Sequence, residues 1–487
     1  MKIKLIFPPG PHKVRSKDYP PIGIAKVAGL LREKGHYVDQ DDLQIKAMEH
    51  NQRKMFRAQA IDLNLLYDNQ RIFRYLTGSK DAPIESFSEK SLRLTNYLGF
   101  DIMGFSILFK EQVLSALLLA KKIKESSKIP IIFGGLAAPN LTSPSYSTMP
   151  IAQELLEDAQ KENLFQTLSK DELYRQIPDF NGLPLHLYGH RYFGNRLALP
   201  YKLDNGCVYK CSFCTYHILE NFLVLDPEKA VNEIAAIKKK HETNIFDFGT
   251  ATINNNYEKL REFCDLIIDK KLQIEWISYA SVSNIDKKIL AKVKQSGCHM
   301  LKYGIESGSD RVLRRMKKPF ISERASQVLK MTKENQIYSR INLIAGYPHE
   351  TDEDIGLTVK FIEDNKNWID LVYHCRFYLL PASQMAIEPE KYGVTNVKPL
   401  DGISYSFDEI NGLAWEDKKE QIERYLQIVR KAVYYKIIRG SVFYKMPLSA
   451  LLPYSMHELA RSVAAKSHLL ANIWNNFNGK VYRRAAC

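Results

Sequence analysis

Three of the chain's seven cysteines fall within eight residues, in the run Cys207-Val-Tyr-Lys-Cys211-Ser-Phe-Cys214. Three thiolates on one short loop can hold three irons of a cubane iron-sulfur cluster, and this leaves the fourth iron open to another ligand. A closed structural zinc site needs four protein ligands, and no second cysteine pair or His-x3-His follows at suitable spacing. Three buried structural thiols are the plainer alternative. The other four cysteines are scattered: Cys264 in REFCDLII reads as helix packing, Cys298 in QSGCHML as the entry to a strand, and Cys487 as an exposed terminus. Cys375 lies in Leu371-Val-Tyr-His-Cys-Arg-Phe-Tyr378, where strand alternation puts Tyr373, Cys375 and Phe377 on one face and His374 and Arg376 on the other. Its plain reading is a small buried hydrophobe.

The elements that must carry these residues alternate strand and helix along the chain. Lys2 to Phe7 is a short apolar run stopped by Pro8-Pro9-Gly10, Ile22 to Lys34 has helical spacing closed by Gly35, and Tyr37 to Leu43 follows as a strand. A charged, helical insertion runs from Lys46 to Thr95. Asp101 to Ile107, a helix from Glu111 to Glu125, and Ile129 to Phe133 ending in Gly134-Gly135 then repeat the rhythm of a parallel sheet. Such a sheet binds ligands at the carboxyl ends of its strands, here Pro8 to Gly10, Ser106 and Gly134-Gly135. A second series from Pro200 has six candidate strands: Tyr201 to Asn205, Asn244 to Phe248, Gln273 to Tyr279, Met300 to Ile305, Arg340 to Ala345 and Asp370 to Leu379. It predicts a partly closed parallel barrel with its chemistry at the strands' carboxyl ends. Leu413 to Lys445 and Ser449 to Phe477 read as amphipathic, tyrosine-rich helices.

With 487 residues, 45% of them apolar, the chain is expected to hold two to four domains, and collagen-like, disordered and small disulfide-scaffold classes are excluded. The greasiest stretch, Val113 to Ala120, is far short of a membrane span, and Pro8-Pro9 interrupts any signal-peptide core. A soluble, cytoplasmic protein with reduced thiols is therefore expected. The net charge is +14, and from Glu416 to Cys487 there are 13 basic against 5 acidic residues. That skew points to an anionic partner for the tail or only to a soluble basic surface, and no RNA-binding motif accompanies it.

CxxxCxxC with an aromatic, Phe213, before its last cysteine resembles the signature of radical S-adenosylmethionine (radical SAM) enzymes. YKLDNGCVYKCSFCTY, LKYGIESGSDRVLRRMKK and INLIAGYPHETDED are similar to that superfamily's barrel segments. YPPIGIAKVAGLLREKGHYV and DIMGFSI...IIFGG resemble the cobalamin-binding-type domain found in one large subgroup. The resemblance implies an α/β protein: a Rossmann-like parallel sheet domain in residues 1–140, a connector in 141–195, a partial (β/α)6 radical SAM barrel in 196–395, and a helical C-terminal region in 396–487. It implies a [4Fe-4S] cluster on Cys207, Cys211 and Cys214 whose open iron chelates SAM. It implies cofactor contacts at Phe213, Thr215, Tyr216, Gly249, Thr250, Ser278, Ser281, Glu306, Ser307, Asn342 and Gly346. Relatives often have an acidic residue after the second strand and an arginine after the third, where this chain has FGTATINNN and SYASVSN. Cobalamin is a weaker expectation, because the segment after Gly134-Gly135 departs from the subgroup's pattern.

Within that resemblance Cys375 gains a second reading, as the donor that returns a hydrogen atom to the face of a substrate radical opposite the deoxyadenosyl group. This is similar to the proteusin-type peptide epimerases of ribosomally made natural products. The leading expectation is thus a radical SAM peptide epimerase inverting alpha-carbons from L to D, served by a leader-bearing precursor peptide and an electron donor such as flavodoxin or ferredoxin. A cobalamin-dependent methyltransferase is the second expectation, and a non-catalytic iron-sulfur RNA-binding or scaffold protein the third. Neither a membrane nor nucleic acid is expected as a partner.

Overall fold

A computed structural model of the protein describes residues 1–11, 17–53, 59–108, 111–135, 149–400 and 404–439. They divide into two compact units, one of Met1–Ala198 and one beginning at Leu199. The second predicted tail helix, from Ser449, and Cys487 lie outside the described residues, as does most of the segment after Gly135.

The first unit is built on four parallel strands, β1 (Lys2–Phe7), β2 (Tyr37–Asp42), β3 (Ile102–Ser106) and β4 (Ile131–Gly134), in the order β2-β1-β3-β4. A parallel sheet has helices over both faces, because each crossover must lie on one of them. One face carries Ile6, Met103, Phe105 and Ile131 into a core shared with the helices Leu43–Arg53, Asn69–Leu76, Ala82–Leu92, Glu111–Ser126 and Pro150–Lys161. The predicted insertion is thus helical, and Asp68 and Asp81 cap its second and third helices by accepting from the backbone of Arg71 and Ile84. On the other face lies the segment expected as a connector. Its Asp179 and Asn181 carbonyls accept from Gln40 Nε2 at 2.6 and 2.7 Å, Asp179 binds Arg32 at 2.7 Å, and the Tyr188 hydroxyl donates to Asp42 at 2.5 Å. The hydrophilic edge strand β2 is held partly by Lys4, buried on β1 and paired with Asp39 and Asp41 at 2.6 and 2.8 Å.

In the second unit β5 (Leu199–Tyr201) is followed by a hairpin of β6 (Asp204–Asn205) and β7 (Leu223–Val224). Then come β8 (Ile245–Phe248), β9 (Glu275–Ala280), β10 (Cys298–Glu306), β11 (Tyr338–Ala345) and β12 (Leu371–Arg376), with β13 (Val394–Pro399) and β14 (Tyr405–Glu409) as a last antiparallel pair. The six long-range strands pair in parallel in the order β12-β11-β10-β9-β8-β5, so the sheet follows chain order and stays open between β12 and β5. Most of its helices start where the sequence supplies a cap: Asp226 before Pro227–His241, Asn256 before Tyr257–Asp269, Asp286 before Lys287–Gln295 and Thr351 before Asp352–Asp364. The last helix, Trp415–Arg439, lies beside β12, where Arg430 reaches His374 and Arg376 pairs with Glu423. Among the described residues no helix is long and apolar enough to cross a membrane.

Two local expectations change. The first predicted barrel strand splits: β5 ends at Tyr201, and Asp204–Asn205 turn away to pair with Leu223–Val224. β12 ends at Arg376, so Phe377 leaves the alternation and packs its ring against Tyr347 and Phe407 instead of sharing a face with Cys375.

Candidate active site

The split of the first strand matters because the β6–β7 hairpin closes a loop that contains all three clustered cysteines. Gly206 enters that loop at φ +69, and a Cβ there would lie 2.8 Å from the Asn221 carbonyl oxygen, so only glycine permits the closure. Ser212, fully buried between Cys211 and Phe213, fastens the loop from four directions. Its N–H donates to the Met316 carbonyl at 3.1 Å and its carbonyl accepts from Met385 N at 3.0 Å. Its hydroxyl and the Tyr347 hydroxyl lie 2.8 Å apart, one donating to the other, and both are within hydrogen-bond distance of the Arg315 carbonyl oxygen, at 3.3 and 2.9 Å. Asn255, after β8, takes the other end: its Oδ1 accepts from Val208 N at 3.4 Å and from the Cys207 thiol at 3.7 Å, and its Nδ2 donates to Asp204 at 2.8 Å. Burial pushes Asp204 up to about 7.

Burial raises all three thiols, and Cys207, pushed up to about 11, also senses the charges of Cys214 and Cys211. The three therefore share one neighbourhood, although among the described residues no three His, Cys, Asp or Glu side chains are gathered as a metal-ligand set. A buried cation faces them. Lys318 Nζ donates to the Gly304 carbonyl at 2.9 Å and to Glu306 Oε1 at 3.2 Å, and it lies 5.6 Å from the centre of the Phe213 ring. Burial works against its charge, but Glu306, Cys211 and Cys214 together hold its pKa above the ordinary value. Glu306 sits at φ +71 beside a register shift in β10, a left-handed conformation that a non-glycine residue keeps only when its surroundings enforce it.

The strands' concave face is marked by a row of side chains that crosses five of them. Asp247 pairs with Lys302 at 3.0 Å, Lys302 lies over the Tyr279 ring, and Arg340 bonds the Tyr279 hydroxyl at 2.9 Å and lies over the Tyr373 ring. Cys375 is two residues beyond Tyr373 and opposite Ile344, hence on this same face. Its thiol is half-buried, points a weak contact at the Leu343 carbonyl at 3.8 Å, and is pushed up to about 11 by burial and by the Glu306 charge. Near neutral pH it keeps its S–H bond.

The expected cofactor residues divide by what already occupies them. Phe213, Glu306 and the cysteines meet around Lys318, Thr215 and Tyr216 begin the one-turn helix that follows Cys214, and a side chain at Gly249 would meet open space. Asn342 Oδ1 on the concave face is buried and has no partner among the described residues. Other hydroxyls are engaged: Ser278 with the Phe248 carbonyl and with Thr250, Ser281 with Ser283, and Ser307 with Thr358. Gly346, at φ +87, gives its N–H to Glu350 and abuts Ile422 of the last helix. Sequence reasoning assigned no role to Lys318, Tyr347, Ser212, Asn254 or Asn255. Ser212, Lys318 and Tyr347 lie within the segments quoted for the family resemblance, and Asn254 and Asn255 within FGTATINNN, where the Asn254 amide ties the loop after β8 to Ser281 and Asn284 after β9.

Residues 201–362 match the family described as the radical SAM superfamily. Those residues make up the greater part of the second unit and are similar to a radical SAM domain. Over 197 residues, 40% of its length and 35% of the relative's, the chain is 27% identical to an anaerobic magnesium-protoporphyrin IX monomethyl ester cyclase of Rubrivivax gelatinosus. The match thus spans about a third of that cyclase. An uncharacterized methyltransferase of Pyrococcus horikoshii is 21% identical over 388 residues, 74% of this chain and 77% of the relative. Two solved structures share the fold: OxsB, a cobalamin-dependent S-adenosylmethionine radical enzyme, with TM-score 0.57, 14% identity and coverage of 98% of this chain and 74% of that one; and TsrM, a radical S-adenosylmethionine methyltransferase from Kitasatospora setae, with TM-score 0.54, 12% identity and coverage of 82% and 79%.

A radical SAM fold implies a [4Fe-4S] cluster and SAM, and the residues present fit both. Three thiols lie on one hairpin-closed loop beside a buried cation that offsets thiolate charge. Asn342 Oδ1 is a buried acceptor, a kind of group that natural proteins seldom leave without a partner. The loop carrying Gly346 is held by Glu350, pushed up to about 7 by burial, with the Gly346 N–H and Lys418 partly offsetting. Because that value is raised above the ordinary 4.5, the stabilisation from neutral Glu350 is fully present below about pH 4.5 and is lost as pH rises through 7. The melting temperature of the parent protein is accordingly expected to fall more steeply than that of Glu350→Gln between about pH 5 and pH 8. Parallel melting curves of the two would count against a neutral buried Glu350.

Proposed function

We propose that this protein is a radical SAM enzyme that transfers a methyl group with the help of a corrinoid carried on its first unit. The observation that carries the reading is a β2-β1-β3-β4 parallel sheet joined in one chain to a segment matching the radical SAM family, a combination that aligns over 82% of this chain with the methyltransferase TsrM and over 98% with the cobalamin-dependent OxsB. When bound, the cluster and SAM supply a 5'-deoxyadenosyl radical and the corrinoid supplies a methyl carrier. The carboxyl edge of the first sheet fits a flat macrocycle on two counts. Leu108, Gly134 and Gly135 are exposed there, with no Cβ at the end of β4, and the buried Gln44 side chain accepts from Gly10 N while its Nε2 has no partner among the described residues. In the second unit Cys207, Cys211 and Cys214 hold the cluster, Lys318 and Glu306 set the charge beside it, and Asn342 offers an acceptor to SAM or substrate. The concave strand face, lined by Tyr279, Arg340 and Tyr373, orients the substrate and limits water around the reacting carbon.

A second reading, inversion of peptide alpha-carbons, is favoured by one observation. Cys375 keeps a protonated thiol on the concave face within electrostatic reach of Glu306, which is the form able to give up a hydrogen atom. One incubation separates the two: SAM, reductant, hydroxocobalamin and a candidate substrate in heavy water, with the product weighed. Methyl transfer gains about 14 mass units and requires added cobalamin, whereas inversion gains about one unit per centre without it. Under the second reading Cys375→Ala stops inversion while 5'-deoxyadenosine release continues; inversion at the parent rate would end that reading.

A further inference from the structure

The strands β9 to β12 are neighbours, and their register puts Tyr279 opposite Lys302, Lys302 opposite Arg340, and Asn342 opposite Tyr373 on the concave face. Two lysines here face carboxylates: Lys302 Nζ lies 3.0 and 3.1 Å from the two Asp247 oxygens, and Lys318 meets Glu306 at 3.2 Å. Arg340 faces tyrosines. It donates to the Tyr279 hydroxyl at 2.9 Å, and its guanidinium carbon lies 5.5 Å from the centres of both the Tyr279 and the Tyr373 rings. A hydroxyl and two rings restrict the orientation of a planar fork that can hold a carboxylate through two parallel N–H bonds. Two residues further along β11, on the same face, Asn342 Oδ1 is a buried acceptor without a partner among the described residues. Tyr373 beside them is 56% exposed, so the face is open at this point.

We propose that Arg340 and Asn342 select the substrate, Arg340 holding a carboxylate and Asn342 accepting from the N–H beside it, so that the methyl acceptor is a free α-amino acid or the C-terminal residue of a peptide. The inference deepens the proposed function and rests on its placing of the substrate on this face. Alternate residues of a strand stand about 6.6 Å apart at their Cα atoms. A residue whose carboxylate and nitrogen flank one carbon, with a hydrogen bond of about 3 Å at each end, spans such a gap. SAM carries the same pair of groups, but under the cluster reading the open iron takes them. Arg340 is then a specificity-determining residue: an amide in place of the carboxylate loses the charge-assisted pair of bonds.

The test reads binding by saturation-transfer NMR on the anaerobically reconstituted protein saturated with SAM, using leucine, N-acetylleucine and N-acetylleucinamide as probes. At least one of the two acids is expected to bind about tenfold more tightly than the amide. N-acetylleucine as the tighter acid supports a peptide end, and leucine a free amino acid. Arg340→Gln is expected to bind the acids no better than the amide, with Arg340→Lys, which keeps the charge but not the fork, between it and the parent. Equal binding of acids and amide by the parent would overturn the proposal without recourse to any variant, as would no binding of any probe. A preference for the acids that survives in Arg340→Gln would also overturn it, and so would acids that bind only when SAM is left out, which would assign the pair to SAM itself. Because no turnover is read, failure here leaves the mass-gain test of methyl transfer standing, and failure of that test leaves this one standing.

Discussion

A Cys211→Ala variant is expected to purify folded but without the visible absorbance of an iron-sulfur cluster, and to release no 5'-deoxyadenosine from SAM. Cys211 is the most buried of the three clustered thiols and directly precedes Ser212, so its position is the most tightly fixed. Removing it leaves two thiolates on the loop, too few to hold a cubane that already lacks a fourth protein ligand. The fold should survive because the loop is fastened by Ser212, Asn255 and the β6–β7 hairpin rather than by sulfur. Circular dichroism and iron content measured together check both halves of the expectation. Cys264→Ala serves as the control, since Cys264 is buried beside Ser296 on the helix Tyr257–Asp269 and should keep its iron. Parent-level iron in Cys211→Ala, or iron lost equally from Cys264→Ala, would remove the cysteine loop from the centre of the chemistry.

Lys318 extends this argument from ligands to charge. Its cation lies nearly buried against Glu306 and close to Cys211 and Cys214, in a low-dielectric setting where one charge counts for more than it does in water. Potentials of such clusters depend on net charge and solvent exposure around the sulfurs. Lys318 thus couples the cysteine loop to Glu306 at the bulge of β10.

The parts of this site that were legible in the sequence are those whose physics is local. The cysteine spacing states its chemistry within eight residues, and the barrel helices announce themselves through caps such as Asp226-Pro227 and Thr351 with Asp354 three residues on. What stayed hidden is set by distant partners. The Lys318 side chain meets Glu306, 12 residues away, and the Cys211 charge, while Ser212 meets Tyr347 across 135 residues and Tyr347 meets Lys418 across 71. A lysine, a serine and a tyrosine carry no mark in a sequence that separates a strap from a solvated surface. Ser278 and Ser307 show the converse. The family resemblance implied cofactor contacts for both, but a motif match does not tell which hydroxyls already bond within the sheet and its helices.

Gly346→Ala is expected to be among the most damaging single substitutions in the protein. The residue sits at φ +87, where an alanine costs about 1–2 kcal/mol against the left-handed conformation. Its new Cβ would also lie 2.2 Å from Ile422 Cγ1. Ile422 has little room to retreat, because its helix is fixed on either side: Lys418 donates to the Tyr347 carbonyl at 3.0 Å and pairs with Glu409 at 2.8 Å, and the Tyr425 hydroxyl donates to Asp352 at 2.7 Å. Overpacking of this kind adds about 1–3 kcal/mol, for a total near 3 kcal/mol measured by urea unfolding. The damage should also reach the chemistry. Tyr347, the next residue, would have to move with the loop, loosening the Ser212 strap, so the cluster should be lost to a chelator faster than in the parent. The decisive comparison is Gly346→Ala with Ile422→Ala. Alone, Ile422→Ala leaves a cavity and costs about 2–5 kcal/mol, but together the two should cost less than their sum because the new methyl enters the space made. Strict additivity, or parent stability in Gly346→Ala, would mean that the last helix does not press on this loop.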